Sequence, residues 1–258
     1  MPPAPASHDR PLSGRVALVT GSSTGLGFAM ACALGTAGAK VALNYVNNTE
    51  RAERAFAQYR ESGAEGMLVR GSAIDANDID AMVGEIEQSL GPIDILVINA
   101  TPAQPQRPIE DYDWDFYQSM LDYFIKSPYL LSRRVLAQMK QRKQGRIINI
   151  GSEVFARGIG NFSAYVAAKG GQNGWTRSMA SELAPFGITV NMISPGWIPV
   201  ERHENDPQEA KDGYRKLIPM NRWGVPEDLD STVVYLASDA SSFVTGQNIH
   251  VNGGMTVH

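Results

Sequence analysis

Seven short runs of this chain are apolar nearly throughout, and stretches with helical composition separate them. Continuous apolar character is typical of strands buried on both faces of a parallel sheet. The predicted strands are Val16–Thr20, Val41–Tyr45, Gly66–Val69, Ile93–Asn99, Arg146–Ile150, Thr189–Ile193 and Asn248–Val251. The predicted helices between them include Gly25–Ala37, Glu50–Glu61, Ile79–Leu90 and Ser163–Ala184. This alternation predicts an α/β fold, a doubly wound parallel sheet with helices on both faces.

The length of 258 residues suits one α/β domain with a single large sheet. No repeat or linker follows residue 14, so we expect a flexible segment at 1–13 and one domain at 14–258. A net charge of −4, with one short basic cluster where a helix should end, argues against nucleic acid as a partner. The sequence shows neither a signal peptide nor a membrane span, and its single cysteine fits a reducing compartment. We therefore predict a cytoplasmic protein.

A glycine-rich loop follows the first predicted strand and opens the first helix: Thr20-Gly21-Ser22-Ser23-Thr24-Gly25-Leu26-Gly27. Glycines there let the backbone turn tightly and approach a pyrophosphate, while the helix N-terminus offers free amide donors. The same letters also fit an ordinary strand-to-helix turn. Their place between a strand and a helix favours phosphate binding.

Tyr165 and Lys169 are four residues apart, which places both side chains on one face of a predicted helix. A nearby ammonium stabilises phenolate and lowers the pKa of tyrosine from its reference value of about 10, so that the phenol can exchange a proton with an alcohol or a ketone. Alone, such a pair usually lies on the protein surface and has no function. It gains weight from Ser152, which follows the strand Arg146–Ile150 where α/β sheets place their ligands.

These motifs together resemble the short-chain dehydrogenase/reductase family, and within it the 3-oxoacyl-ACP reductase-like members. The similarity runs from about Gly14 to Gly254. It is carried by the glycine loop, by Ser152 with the Tyr165–Lys169 motif, and by the turn Pro195-Gly196 after a strand. The resemblance implies a single-domain Rossmann-like fold and an NAD(P)-dependent enzyme.

The resemblance also implies roles for particular residues. Tyr165 would be the general acid in reduction or the base in oxidation, Ser152 would orient the substrate oxygen, and Lys169 would hold the nicotinamide ribose. It assigns cofactor contacts to Gly21, Ser23, Thr24, Gly25, Leu26, Gly27, Asn44, Tyr45, Ser72, Ala73, Asn99, Ala100, Thr101, Tyr165, Lys169, Pro195, Gly196 and Ile198. Relatives are commonly tetramers, which predicts a homotetramer or a homodimer here.

Four positions depart from the family pattern. Phe124 stands where an asparagine normally completes a catalytic tetrad and bends the helix around a water. Ser72 replaces an aspartate that commonly binds the adenine amine, Thr101 replaces a glycine, and Val200 replaces a threonine that contacts the carboxamide. In addition, Pro128 should kink or split a helix predicted over 116–141 and reshape the wall beside the site.

The end of the second strand decides the cofactor. Asn44 and Tyr45 are neutral there, so nothing repels a 2′-phosphate, and we favour NADP over NAD although the glycine loop has no basic residue.

A small carbonyl or alcohol substrate would meet a charged, lid-like stretch from Trp197 to Arg222, which holds His203, Asp206, Lys211 and Tyr214. The candidate pocket residues are Glu153, Phe124, Trp197 and His203. Glu153 fits a solvated loop carboxylate equally well, and His203 fits an exposed lid histidine without a role. The four histidines, His8, His203, His250 and His258, are scattered, which argues against a metal site.

Three functional hypotheses therefore compete. The first is an NAD(P)-dependent oxidoreductase acting on a carbonyl or secondary alcohol. The second is a non-catalytic protein that binds a nucleotide or a metabolite, which the four departures favour. The third is a cofactor-independent enzyme acting on an epoxide or another leaving group, which the retained glycine loop and Lys169 disfavour.

Overall fold

The computed structural model describes residues 10–204 and 207–257. Seven strands form one sheet: β1 (Val16–Val19), β2 (Lys40–Tyr45), β3 (Gly66–Arg70), β4 (Ile95–Ile98), β5 (Gly145–Ile150), β6 (Ile188–Pro195) and β7 (Asn248–Val251). They are parallel throughout and lie in the order β3-β2-β1-β4-β5-β6-β7. The predicted doubly wound sheet is confirmed, and every strand end lies within two residues of its predicted position.

Nine α-helices lie in the described part of the chain. They are α1 (Gly25–Thr36), α2 (Thr49–Glu61), α3 (Ala76–Ser89), α4 (Trp114–Leu121), α5 (Ser127–Arg142), α6 (Val154–Arg157), α7 (Ser163–Leu183), α8 (Gln208–Leu217) and α9 (Asp230–Ala237). One apolar cluster packs α1 and α9 against the sheet, and a second packs α3, α5 and α7. Both faces of the sheet are therefore covered, which explains why its strands are apolar along their length. None of the described helices is long and apolar enough to cross a membrane.

The helix predicted over 116–141 is divided, as the proline predicts. A π-helical turn, Asp122–Lys126, joins α4 to α5, and the amide of Ser127 donates to the carbonyl of Asp122. Pro128 lies in the first turn of α5, where its missing N–H costs little. Phe124 lies within this wider turn.

Residues 10–13 pack against the domain, although the sequence predicts a flexible segment at 1–13. Leu12 is fully buried, and its amide donates to the carbonyl of Ala37 over 2.9 Å. Residues 10–13 are thus held against the end of α1 and are not a flexible segment, while residues 1–9 lie outside the described residues.

Candidate active site

A cavity of about 910 Å³ opens at the carboxyl edge of the sheet. Residues that follow β4, β5 and β6 line it, and one face of α8 covers it through Ala210, Gly213, Tyr214 and Leu217. Many predicted site residues meet here: Leu26, Asn99, Thr101, Ser152, Glu153, Tyr165, Lys169, Pro195, Gly196, Trp197, Ile198 and His203. The sequence motifs therefore converge on one cleft, where parallel α/β sheets bind ligands.

The glycine loop has the backbone that its sequence predicts. Gly21 and Gly25 have φ of +62° and +57°, a region that side-chain-bearing residues rarely adopt. A Cβ on Gly27 would meet the carbonyl oxygen of Gly21 and the amide nitrogen of Asn99. The side-chain amide of Asn99 donates to the carbonyls of Thr20 and Gly21 over 3.0 and 3.1 Å. The loop is therefore fixed to the end of β4 and leads directly into α1.

Asn44 supports the glycine loop, and its contact with a cofactor stays a prediction. Its side chain is buried, its Oδ1 accepts from the amide of Gly21 over 3.0 Å, and its Nδ2 donates to the carbonyl of Gly71 over 2.9 Å. With both polar atoms engaged, Asn44 supports the glycine loop from behind. Tyr45, at the end of β2, is partly exposed, and its contact with a ribose stays a prediction.

Ser72 and Ala73 lie just after β3, in the turn that leads to α3. The amide of Ser72 donates to Asp78 over 2.8 Å, and its hydroxyl accepts a long bond of 3.4 Å from the amide of Ile74. Ser72 is partly exposed and Ala73 is buried. Their contact with a cofactor stays a prediction.

The predicted catalytic side chains are poised at the buried end of the cavity. Ser152 follows β5 and is 9% exposed, as is Tyr165, while Lys169 is 3% exposed. Tyr165 and Lys169 lie on α7, and the Lys169 Nζ is 5.7 Å from the centre of the tyrosine ring. Nζ also donates to the carbonyl of Ile150 over 2.6 Å, which fixes the ammonium at the end of β5.

Phe124 does not line the pocket as predicted. It is 1% exposed and packs behind the catalytic residues, with its ring edge-on to Tyr165 at 5.3 Å between centroids. The Lys169 Nζ lies 3.8 Å from the centre of the Phe124 ring, a cation–π contact worth about 2 kcal/mol when desolvated. Tyr129, on the next helix, is 47% exposed, and its hydroxyl accepts from Arg133. Helix packing therefore turns Phe124 away from the substrate space.

Glu153 is not a solvated loop carboxylate, because it is 2% exposed. Its Oε1 accepts from Arg157 and from the hydroxyl of Tyr214, each over 2.7 Å, and its Oε2 accepts from Asn252 over 3.1 Å. Tyr214 also accepts from the amide of Trp197 over 2.7 Å. Burial, followed by the bond to Glu153, raises the pKa of Tyr214. One carboxylate thus joins the catalytic turn, the lid helix α8 and the segment after β7.

His203 and Trp197 form part of the lid. The amide of Val200 donates to the His203 Nδ1 over 3.2 Å, and the His203 ring lies edge-on to Trp197 at 5.9 Å. Trp197 also lies edge-on to Tyr214 and to Trp223. The Lys211 Nζ donates to the carbonyl of Glu204 over 3.0 Å, whereas Asp206 lies outside the described residues.

Sequence reasoning missed Arg157, Gln104 and Gln172. Arg157 and Gln104 line the cavity, and Gln172 accepts from Lys169 over 3.1 Å. Gln172 is three residues after Lys169, so helical spacing could have placed the two side chains on one face. The loop that carries Gln104 offers no such periodic signal.

No group of three or more His, Cys, Asp or Glu side chains within residues 10–204 and 207–257 could hold a metal ion. His8 and His258 lie outside those ranges.

The cleft fits a dinucleotide. Gly21, Gly25 and Gly27 let a ligand come close to the backbone at the start of α1. Thr24 gives that helix no side-chain cap, so the amides of its first turn can bind a phosphate. The cavity reaches from Leu26 and Asn99 to Ser152 and Lys169. The fold and the site together define an oxidoreductase of the doubly wound, dinucleotide-binding class.

Comparisons with known proteins agree with this class. A family model described as enoyl-(acyl carrier protein) reductase matches residues 21–256. The 3-oxoacyl-(acyl-carrier-protein) reductase FabG of Staphylococcus aureus (strain Mu50) is 36% identical over 93% of this chain and 97% of its own. The 2-dehydro-3-deoxy-D-gluconate 5-dehydrogenase of Formosa agariphila is 35% identical over 95% of this chain and 93% of its own.

A solved structure extends the likeness to the fold. The 3-oxoacyl-(acyl-carrier-protein) reductase of Agrobacterium tumefaciens C58, crystallised with NADP, matches with a TM-score of 0.88 and 32% identity, over 95% of this chain and 96% of that one. The chain therefore belongs to the short-chain dehydrogenase/reductase family. It is an NAD(P)-dependent dehydrogenase or reductase that acts on CH–OH or carbonyl groups.

Proposed function

We propose that the protein transfers a hydride between NADP(H) and a small carbonyl or secondary alcohol substrate, with Tyr165 as the general acid or base. The observation that carries this proposal is the meeting of Ser152, Tyr165 and Lys169 in the cavity that also contains Leu26 and Asn99 of the nucleotide side. When bound, the nicotinamide supplies or accepts the hydride.

The residues of the chain supply position and proton transfer. The hydroxyl of Ser152 orients the substrate oxygen, and the phenol of Tyr165 gives that oxygen a proton in reduction or takes it in oxidation. Lys169, fixed beside Tyr165, stabilises phenolate and holds the ribose. The loop from Gly21 to Gly27 holds the pyrophosphate, and Pro195, Gly196 and Ile198 border the nicotinamide.

The end of β2 supports NADP. Tyr45 pairs in register with Arg70 of β3, and the Arg70 Nε donates to the carbonyl of Val46 over 3.0 Å. The guanidinium of Arg70 therefore lies next to the position that would face the ribose. The side chains at that position, Asn44 and Tyr45, are neutral and would not repel a 2′-phosphate. The Agrobacterium relative, crystallised with NADP, points the same way.

Titration with NADPH and with NADH tests the cofactor, with energy transfer from tryptophan to bound nicotinamide as the signal. We expect NADPH to bind about tenfold tighter, and Arg70→Ala to remove most of that difference. Arg60→Ala, on the surface of α2, is the matched control. Equal binding of the two cofactors would contradict the NADP assignment, and no binding of either at millimolar concentration would contradict hydride transfer.

Turnover is tested next by a screen of small ketones and alcohols, with Tyr165→Phe as the control. The variant should bind NADPH normally and lose at least about a hundredfold in kcat. Equal turnover by the variant would remove Tyr165 from the mechanism.

The four departures from the family pattern, at Ser72, Thr101, Phe124 and Val200, favour one alternative, a protein that binds the nucleotide without catalysis. Saturable NADPH binding without turnover of any carbonyl in the screen would favour it. The homotetramer and the cytoplasmic location stay predictions.

A further inference from the structure

Lys169 is a buried cation with an unusual set of neighbours. It is 3% exposed, and its Nζ contacts the carbonyl of Ile150, the side-chain oxygen of Gln172 and the face of the Phe124 ring. A buried ammonium is costly unless acceptors or π faces replace water around it. Met120, Ala164 and Ala168, which share an apolar cluster with Phe124 and Tyr165, are buried and offer neither an acceptor nor a π face.

The π-helical turn places Phe124 against both proposed catalytic side chains. Its face receives the ammonium at 3.8 Å, and its ring lies edge-on to Tyr165 at 5.3 Å between centroids. The ring of Phe162 also lies 4.9 Å from that of Tyr165. Phe124 therefore fixes Lys169 and Tyr165 relative to each other.

Gln172 is held by a polar network that reaches β5. The hydroxyl of Thr176 donates to the main-chain carbonyl of Gln172 over 2.8 Å, and it accepts from Asn149 over 2.9 Å. Gln172 and Thr176 are 1% and 0% exposed. The oxygen that meets Lys169 thus belongs to a fully enclosed side chain on a residue whose main-chain carbonyl is bonded to Thr176, which suits a positioning role better than a chance contact.

We propose that Phe124 and Gln172 are a pair of positioning residues that hold the Lys169 ammonium beside Tyr165, one by its ring face and the other by its amide oxygen. This inference rests on the proposed function of Tyr165 and Lys169. On this proposal Phe124 supports catalysis, and its presence in place of the family's asparagine does not indicate lost activity.

Paired variants separate this role from simple packing. Gln172→Leu removes the oxygen and Phe124→Leu removes the ring face, whereas Phe124→Tyr keeps the ring. Gln138→Leu on α5 and Phe56→Leu on α2 are matched controls away from the cavity. Circular dichroism checks that each variant is folded, and two independent positions keep the test decisive if one variant is not.

The first measurement is the ionisation of Tyr165 without substrate. Phenolate absorbance is followed against pH, and the curve of the same protein with Tyr165→Phe is subtracted. We expect each Leu variant to ionise Tyr165 at a pH higher by about half to one unit, because the phenolate loses a fixed cation. Phe124→Tyr should keep Tyr165 near the wild-type midpoint.

The second measurement is the pH profile of kcat for alcohol oxidation. Gln172→Leu should lower kcat about tenfold and Phe124→Leu about three- to tenfold, and the rising limb should move to higher pH by the same amount as the titration. Phe124→Tyr should stay within about threefold of wild type.

The outcomes distinguish the two proposals. Superimposable titrations and profiles for all variants would overturn this inference, as would a fall in kcat in the Leu variants without any movement in pH. If no alcohol or carbonyl is turned over but the titration still moves, the proposed function fails and the positioning of Lys169 stands.

Discussion

Gly27 and Gly84 are both helical glycines, and their surroundings give them opposite importance. Gly27 lies in the first turn of α1, where a Cβ would collide with the carbonyl of Gly21 and the side chain of Asn99. Gly84 lies in the middle of α3, where a Cβ would meet nothing within 4 Å. The first glycine is required for the approach of loop and helix, whereas the second only weakens its helix.

Gly27→Ala should therefore impair the nucleotide site. We expect NADPH binding to weaken at least about tenfold and the free energy of unfolding to fall by about 1–3 kcal/mol, because the loop must move away from Asn99. Gly84→Ala is the control and should stabilise by up to about 1 kcal/mol with unchanged binding. Cofactor titration and urea unfolding measure both quantities, and wild-type binding by Gly27→Ala would contradict the assignment of this loop.

Asp230, the first residue of α9, has a carboxyl group whose surroundings disfavour the ionised form. Burial raises its pKa from 3.8 to about 6, with a smaller contribution from Glu227, and its Oδ1 has no hydrogen-bond partner. A carboxyl with a raised folded pKa costs no stability below its unfolded pKa, and the cost is complete above its folded pKa. Asp230→Asn should therefore stabilise the protein at pH 7, by about 1 kcal/mol after allowance for partial exposure, and have little effect at pH 4. Thermal unfolding at the two pH values measures the difference.

Asp228, two residues earlier, provides the opposite case. Its pKa is lowered, first by the hydrogen bond from Arg222. The stability that this pair contributes is present above the ordinary pKa of aspartate and is lost as pH falls through the lowered value. Asp228→Asn should thus destabilise at pH 7 and progressively less in acid. Equal effects of the two substitutions would show that general charge, and not local environment, controls them.

At the scale of elements, α8 is held over the cavity by few contacts from its own side chains. Its residues are mostly exposed, and the bonds of Tyr214 to Glu153 and to the amide of Trp197 connect it to the catalytic turn. The Tyr214 ring also stacks on Trp223 at 5.7 Å between centroids. A helix with so few anchors can open as a unit when they are released.

Tyr214→Phe should loosen this lid and leave the reacting groups in place. The variant keeps the ring stacking and loses hydrogen bonds worth about 1.5–3 kcal/mol when one partner is charged. We expect KM to rise about tenfold or more, with kcat changed less than threefold. The lost bonds hold α8 over the cavity, and a closed α8 stabilises the bound substrate and the transition state equally. Tyr129→Phe, whose hydroxyl bonds Arg133 at the surface, is the control. A large fall in kcat with constant KM would mean that Tyr214 takes part in the chemistry.

The same elements show how much of the structure can be predicted from the sequence. Buried strands, the glycine loop and the spacing of Tyr165 and Lys169 depend on local patterns, and their positions in the fold were predicted. The bonds from Glu153 to Tyr214 and Asn252 span 61 and 99 residues, so no local pattern reveals them. The turn of Phe124 away from the pocket and the burial of Asn44 are likewise set by tertiary packing, which single-sequence reasoning does not reach.

At the scale of the whole molecule, the β7 edge of the sheet is partly exposed in a single chain, and apolar side chains beside it face solvent. β7 is an edge strand, and its residues are only partly buried. Phe243, which precedes it, is 101% exposed, and Val257 beyond it is 87% exposed. An edge strand with exposed apolar neighbours is a ready surface for a second subunit. The predicted homotetramer or homodimer would therefore be expected to use this end.

Phe243→Arg tests that prediction, because a charge in an apolar contact must be desolvated without a partner. If the β7 end joins subunits, sedimentation should show the wild-type protein as a tetramer or dimer and the variant as a smaller species at the same concentration. Trp114→Arg, a substitution of a side chain that is 67% exposed at the start of α4, should leave the mass unchanged and serves as the control. A wild-type protein that sediments as a monomer would exclude the predicted assembly, and an unchanged mass for Phe243→Arg would exclude this surface. Because the segment after β7 also supplies Asn252 to Glu153, loss of the contact should raise KM in the same preparation, so activity gives a second reading of the same event.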